Sequence, residues 1–63
     1  MTDEELRRLR HDMSTPLTIV SGFSEVLAAD RPITDEARRD YANRIHAAAE
    51  ELREMIDALV DAA

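Results

Sequence analysis

The chain has 63 residues, no cysteine, and a formal net charge of −6, with all eight of its basic residues arginine. So short a chain buries too little apolar surface to stand comfortably alone; without cysteines neither disulfides nor thiolate metal sites can help, which leaves association as the remedy. The acidic balance argues against nucleic acid or an anionic membrane as the main partner, and a content that is 44% hydrophobic yet nearly free of aromatics suits helices that pack on one another.

The start, Met1-Thr2-Asp3-Glu4-Glu5, has no signal-peptide character. It reads as the opening of a helix. Thr2 with Glu5 fits a capping box, and Asp3 and Glu4 suit the positive end of the helix dipole. Leu6, Leu9, Met13, Pro16 or Leu17, Val20 and Leu27 then recur at threes and fours, so helix one is expected over about 3–29 with one apolar stripe. Asp30-Arg31-Pro32-Ile33 supplies a turn at about 30–33, because Pro32 biases Arg31 away from helix. Thr34, Asp35 and Glu36 open a second helix over about 34–62. Along it Tyr41, Ile45, Ala48, Leu52, Met55 and Leu59 alternate steps of four and three, which is a heptad seam. Ala42, Ala49, Ile56 and Ala63 form a second stripe beside it. One domain over 1–63 follows, an all-α antiparallel hairpin that pairs with a second copy as a four-helix bundle. A hairpin packing on another part of a larger protein is the alternative. No apolar run is long enough to span a bilayer, so a membrane segment would have to lie outside this chain.

Function concentrates in Arg10-His11-Asp12-Met13-Ser14-Thr15-Pro16-Leu17. A proline in a helix interior removes a backbone hydrogen bond and crowds the preceding turn, at roughly 3 kcal/mol. At about 100° per residue, His11 lies on the side of the helix away from the apolar stripe and faces water. An exposed imidazole is by itself an ordinary surface residue. Here Asp12 stands beside it, Thr15 lies one turn beyond on nearly the same face, and Pro16 leaves the Asp12 carbonyl without its helical donor. A neutral imidazole can attack phosphorus through one nitrogen while its other N–H is held by an acceptor.

His11-Asp12-Met13-Ser14-Thr15-Pro16-Leu17, set in the first of two amphipathic helices, resembles the H-box of the HisKA-type dimerisation and histidine-phosphotransfer domain of bacterial two-component sensor histidine kinases. The likeness covers nearly the whole chain. It implies that His11 is the phosphoacceptor, taking the γ-phosphoryl of ATP and passing it to an aspartate of a response regulator. It further implies that Asp12 is the general base or ring-orienting group, that Thr15 positions water when the regulator is dephosphorylated, and that Pro16 bends the helix. Ser14 stands where relatives vary, and no role follows for it. The family's ATP-binding domain has no counterpart here, since one glycine cannot build a nucleotide loop. No cofactor is therefore expected on this chain; ATP and magnesium belong to an ATP-binding domain, in cis or on a separate chain. The boundaries at a helix start and a heptad end suggest an excised domain. By the same analogy the location is cytoplasmic, with a parent protein that a membrane can anchor.

Thr18, Ile19, Gly22 and Val26 continue the histidine's face toward the turn. They are small and mildly apolar where a lone helix should be charged, which suits either packing within a bundle or a groove for a regulator's helix. His46 is expected to face solvent, and Met13 and Met55 to be ordinary core. Arg7, Arg8 and Arg10 surround the histidine's turn; they can attract phosphate, but pairing with Asp3 and Glu4 as a solvated face is the expectation. The competing functions are a non-catalytic hairpin dimerisation module with a chance H-box, and a monomeric phosphotransfer domain, which is usually longer.

Overall fold

The computed structural model describes residues 1–62, which form two antiparallel helices, α1 over Asp3–Ala28 and α2 over Asp35–Ala62. The expected all-α hairpin is what forms. Thr2 caps α1 as its sequence requires: its hydroxyl accepts the Glu5 N–H at 3.1 Å while the Glu5 carboxylate reaches back to the Thr2 N–H. Ala29 ends the helix in an extended conformation, its N–H still bonded to Glu25 and Val26 carbonyls. Thr34 opens α2, accepting the Ala37 N–H at 3.0 Å. The helix ends thus fall within a residue of the expected 29 and 34, and the connection runs from Ala29 to Thr34.

The molecule measures 46 × 19 × 12 Å. Its thickness is one helix diameter, so this is a single layer two helices wide. Between the helices lie Leu9, Met13, Val20, Phe23 and Leu27 of α1 against Tyr41, Ile45, Leu52, Met55 and Leu59 of α2, all half-buried. The whole expected α2 seam faces inward. On α1 the open choice between Pro16 and Leu17 resolves to Pro16, which is fully buried, whereas Leu17 is 53% exposed. Leu6 is a correction: expected in the stripe, it is 49% exposed, because it lies roughly 60° round the helix from the stripe's centre. Phe23 is the member the sequence reading omitted. Its ring stacks on Tyr41 with centroids 5.1 Å apart, and the Arg44 guanidinium lies 5.7 Å from the same ring.

That aromatic pair fixes the register. Seven residues back along α1 from Phe23 is Pro16; seven forward along α2 from Tyr41 is Ala48. The antiparallel pairing sets the two level, and they are the buried residues of the hairpin. A methyl group opposite the pyrrolidine ring lets the helices approach at the one point where α1 carries a proline.

Leu6 and Leu17 are offset from the inward direction of α1 in the same angular sense as Ala42, Ala49, Ile56 and Val60 are from that of α2. Since the helices run opposite ways, both sets fall on one broad side of the layer. Ile56 is 48% and Val60 68% exposed there. Ala42, Ala49 and Ile56 of the expected second stripe are therefore uncovered by α1, and Ala63 lies outside the described residues.

Candidate functional site

α1 runs unbroken through His11 and Pro16. Pro16, anchored against α2, has no N–H for the Asp12 carbonyl. Hydroxyls bracket this defect: Ser14 Oγ donates to the Arg10 carbonyl at 2.7 Å and Thr18 Oγ1 to the Ser14 carbonyl at 2.8 Å. Such back-bonds share carbonyls with the helical ladder and ease bending. Ser14, which sequence alone left without a part, is thus tied to the turn that carries His11.

His11, Asp12 and Thr15 are all exposed. With Pro16 pointing at α2, His11 points roughly 140° away from it round the helix axis, Asp12 roughly 100° to one side of His11, and Thr15 roughly 40° from it one turn on. The imidazole is reachable from solvent, and no hydrogen bond among the described residues occupies either of its nitrogens. Asp12 is equally unengaged. The arrangement presents a free nucleophilic ring nitrogen with a carboxylate and a hydroxyl on neighbouring positions. No group of three or more His, Asp or Glu side chains among the described residues is placed to hold a metal ion.

The four residues on the histidine's face toward the turn separate. Thr18 and Gly22 line a shallow groove with Ser14, Leu17, Ser21 and Glu25. Val26 shares with Gly22 an adjoining hollow that runs to Arg31, Pro32 and Ile33. Ile19 leaves this surface: half-buried, it lines a cleft between the helices with Phe23, Arg44 and Ala47, on the broad side opposite Leu17. Gly22 has nothing within 4 Å of where a Cβ would stand. No contact inside the hairpin accounts for it.

Two further residues sit at the histidine. Arg7 and Arg10 border one concavity with His11 and Ser14. The expectation that Arg7, Arg8 and Arg10 pair with Asp3 and Glu4 is corrected: the ion pairs among the described residues are Arg38–Asp35 and Arg44–Asp40, both on α2. Of the first-turn acids Glu5 is engaged at the helix cap by Thr2, and neither Asp3 nor Glu4 forms an ion pair among the described residues. His46 is exposed, as expected.

Comparison with known proteins agrees with the geometry. The family model described as "His Kinase A (phospho-acceptor) domain" matches residues 1–63. The chain is similar to the sensor histidine kinase YcbM of Bacillus subtilis, 30% identical over 66 residues that cover 98% of this chain and 21% of that protein. It is similar to the "Non-motile and phage-resistance protein" of Caulobacter vibrioides, 30% identical over 92% of this chain and 7% of that protein. The "Cell-division control histidine kinase PdhS" of Brucella ovis is 33% identical over 92% of this chain and 6% of its own length. The chain thus spans about a fifth or less of the curated relatives it matches. No solved structure matches it at a significant level. A two-helix hairpin with an outward imidazole on the turn of a buried proline, matched by that model from first residue to last, belongs to the family of histidine kinase A phospho-acceptor domains.

Proposed function

We propose that this chain is the phosphoacceptor and dimerisation segment of a sensor histidine kinase, with His11 as the residue that is phosphorylated. The observation that carries this reading is the exposed His11 imidazole facing away from α2, on a turn held in place by buried Pro16. Two large partners must reach the same nitrogen in succession, and an unobstructed ring admits both. In the first, an ATP-binding domain outside this chain holds ATP and magnesium. A ring nitrogen of His11 bonds to the γ-phosphorus as the bond to the bridging oxygen breaks; ADP leaves with that electron pair. Asp12 takes the proton from the other ring nitrogen. In the second, an aspartate of a response regulator receives the phosphoryl group. Thr15, one turn on, orients water in the reverse duty of dephosphorylating that regulator. Thr18, Gly22 and Val26 offer the regulator its docking surface, and Ile19, half-buried in the cleft between the helices, is left to packing. A need for ATP and a regulator suits a cytoplasmic location. Among the described residues no helix is long and apolar enough to cross a membrane.

A second hairpin covers the broad side that carries Leu17, Ile56 and Val60, giving a four-helix bundle. Support comes from the burial pattern, in which the hairpin alone shields little beyond Pro16 and Ala48. The same exposed side would serve a purely structural dimer. Supplying a matching ATP-binding domain with labelled ATP separates the readings: this chain acquires acid-labile, base-stable label, and His11→Gln abolishes it. Label that survives His11→Gln would refute the assignment.

A further inference from the structure

The concavity beside His11 has four lining residues, Arg7, Arg10, His11 and Ser14, and no acid among them. Helical side chains lean toward the N-terminus, so the imidazole projects back over the turn that carries both arginines. Arg7 precedes it by four residues, the spacing of neighbours along a helix face. Arg10 lies to one side of His11 and Asp12 to the other. Neither arginine is held in an ion pair among the described residues. Arg8 differs: it borders a separate hollow with Thr2, Glu4 and Glu5. Ser14 keeps its hydroxyl on the Arg10 carbonyl, which fixes the remaining wall. On a chain of net charge −6, two arginines outside any ion pair of the described residues border the concavity of the one imidazole of α1 and offer it positive charge.

We propose that Arg7 and Arg10 hold the phosphoryl group carried by His11, and so set how fast it is loaded and how long it lasts. The inference rests on the reading of His11 as phosphoacceptor. Phosphorylation puts two negative charges on three oxygens where the neutral ring carried none. Planar guanidinium groups match such oxygens with paired N–H donors, and a lysine ammonium supplies the charge without the fork.

The test uses phosphoramidate, a small phosphoryl donor that needs no ATP-binding domain. The ring nitrogen of His11 bonds to its phosphorus as the P–N bond breaks, and ammonia leaves with the electron pair. Loading and loss of label are followed by phosphorus NMR on the intact chain and on Arg7→Gln, Arg10→Gln, Arg7→Lys and Arg39→Gln. Arg39 is exposed on α2 at the turn end, so its loss changes net charge equally without touching the site. Arginine and glutamine have nearly equal helix propensity, and circular dichroism verifies that each variant stays folded. Arg7→Gln and Arg10→Gln should each load about two- to fivefold more slowly and lose label faster by a similar factor, the size of an exposed charge pair. Their phosphohistidine resonance should move; Arg7→Lys should recover part of the rate, and Arg39→Gln should match the unaltered chain. If Arg7→Gln and Arg10→Gln behave as the unaltered chain, or Arg39→Gln behaves as they do, the clamp is wrong. In a chain that also carries His46→Gln, so that His11 is the one imidazole left to react, a label that persists when His11→Gln is added instead overturns the phosphoacceptor reading itself.

Discussion

Replacing Pro16 by alanine sets two opposed terms against each other. The substitution restores an N–H for the Asp12 carbonyl and relieves the clash with the preceding turn, a gain of about 3 kcal/mol in a helix interior. Against it, the fully buried ring loses two methylenes beyond the Cβ, about 1.6 kcal/mol at 0.8 per buried CH2. A cavity opposite Ala48 adds to the loss, but the facing residue is small and the helices can close on it, so this term is a fraction of a kcal/mol. The helical gain wins, and Pro16→Ala should stabilise the hairpin by about 1 kcal/mol. In a domain of this size that raises Tm by about 4–8 °C. Thermal unfolding followed by circular dichroism measures it, at one fixed protein concentration because association feeds into apparent stability. A variant less stable than the parent by 1 kcal/mol or more would refute the reasoning. Pro16 would then be held for its packing, and the looseness at Asp12 would be incidental.

Gly22→Ala should stabilise the isolated chain by roughly 0.5–1 kcal/mol in urea unfolding, since the added Cβ meets nothing within 4 Å. It should also slow transfer to the regulator, and unchanged transfer would mean that nothing approaches this glycine closely. Ile56→Glu with Val60→Glu places two carboxylates on the exposed apolar side; sedimentation should show the dimer dissociating into less stable hairpins. A dimer that persists unaltered would put the interface elsewhere.

Helix ends were legible because they are written in local chemistry. Thr2 and Glu5, and Thr34 with its acidic followers, satisfy orphan N–H groups within one turn, so no distant part of the chain is needed to recognise them. The α2 seam was equally plain, since polar residues separate its apolar ones. On α1 the apolar residues spread round the helix. Leu17 and Pro16 are roughly 100° apart, and only the position of α2 decides which is inside. Phe23 was obscured by Ile19, Val20 and Val26, although it continues the fours and threes from Pro16 and Val20 to Leu27. At the site, the outward direction of His11 followed from periodicity alone. The freedom of Arg7 did not, because the chain offers it Asp3 and Glu4 four and three residues back, at pairing distance in a helix. Only the placed side chains show that no ion pair forms there.

A layer one helix thick has two broad sides and two narrow edges, and the edges matter for access. His11 points away from α2 within the plane of the layer, so it stands on the outer edge of α1 and on neither broad side. Stacking a second hairpin against Leu17, Ile56 and Val60 covers a broad side and leaves that edge bare. In the dimer proposed above, the interface would thus take no surface at the imidazole, and a partner could reach His11 without opening the bundle.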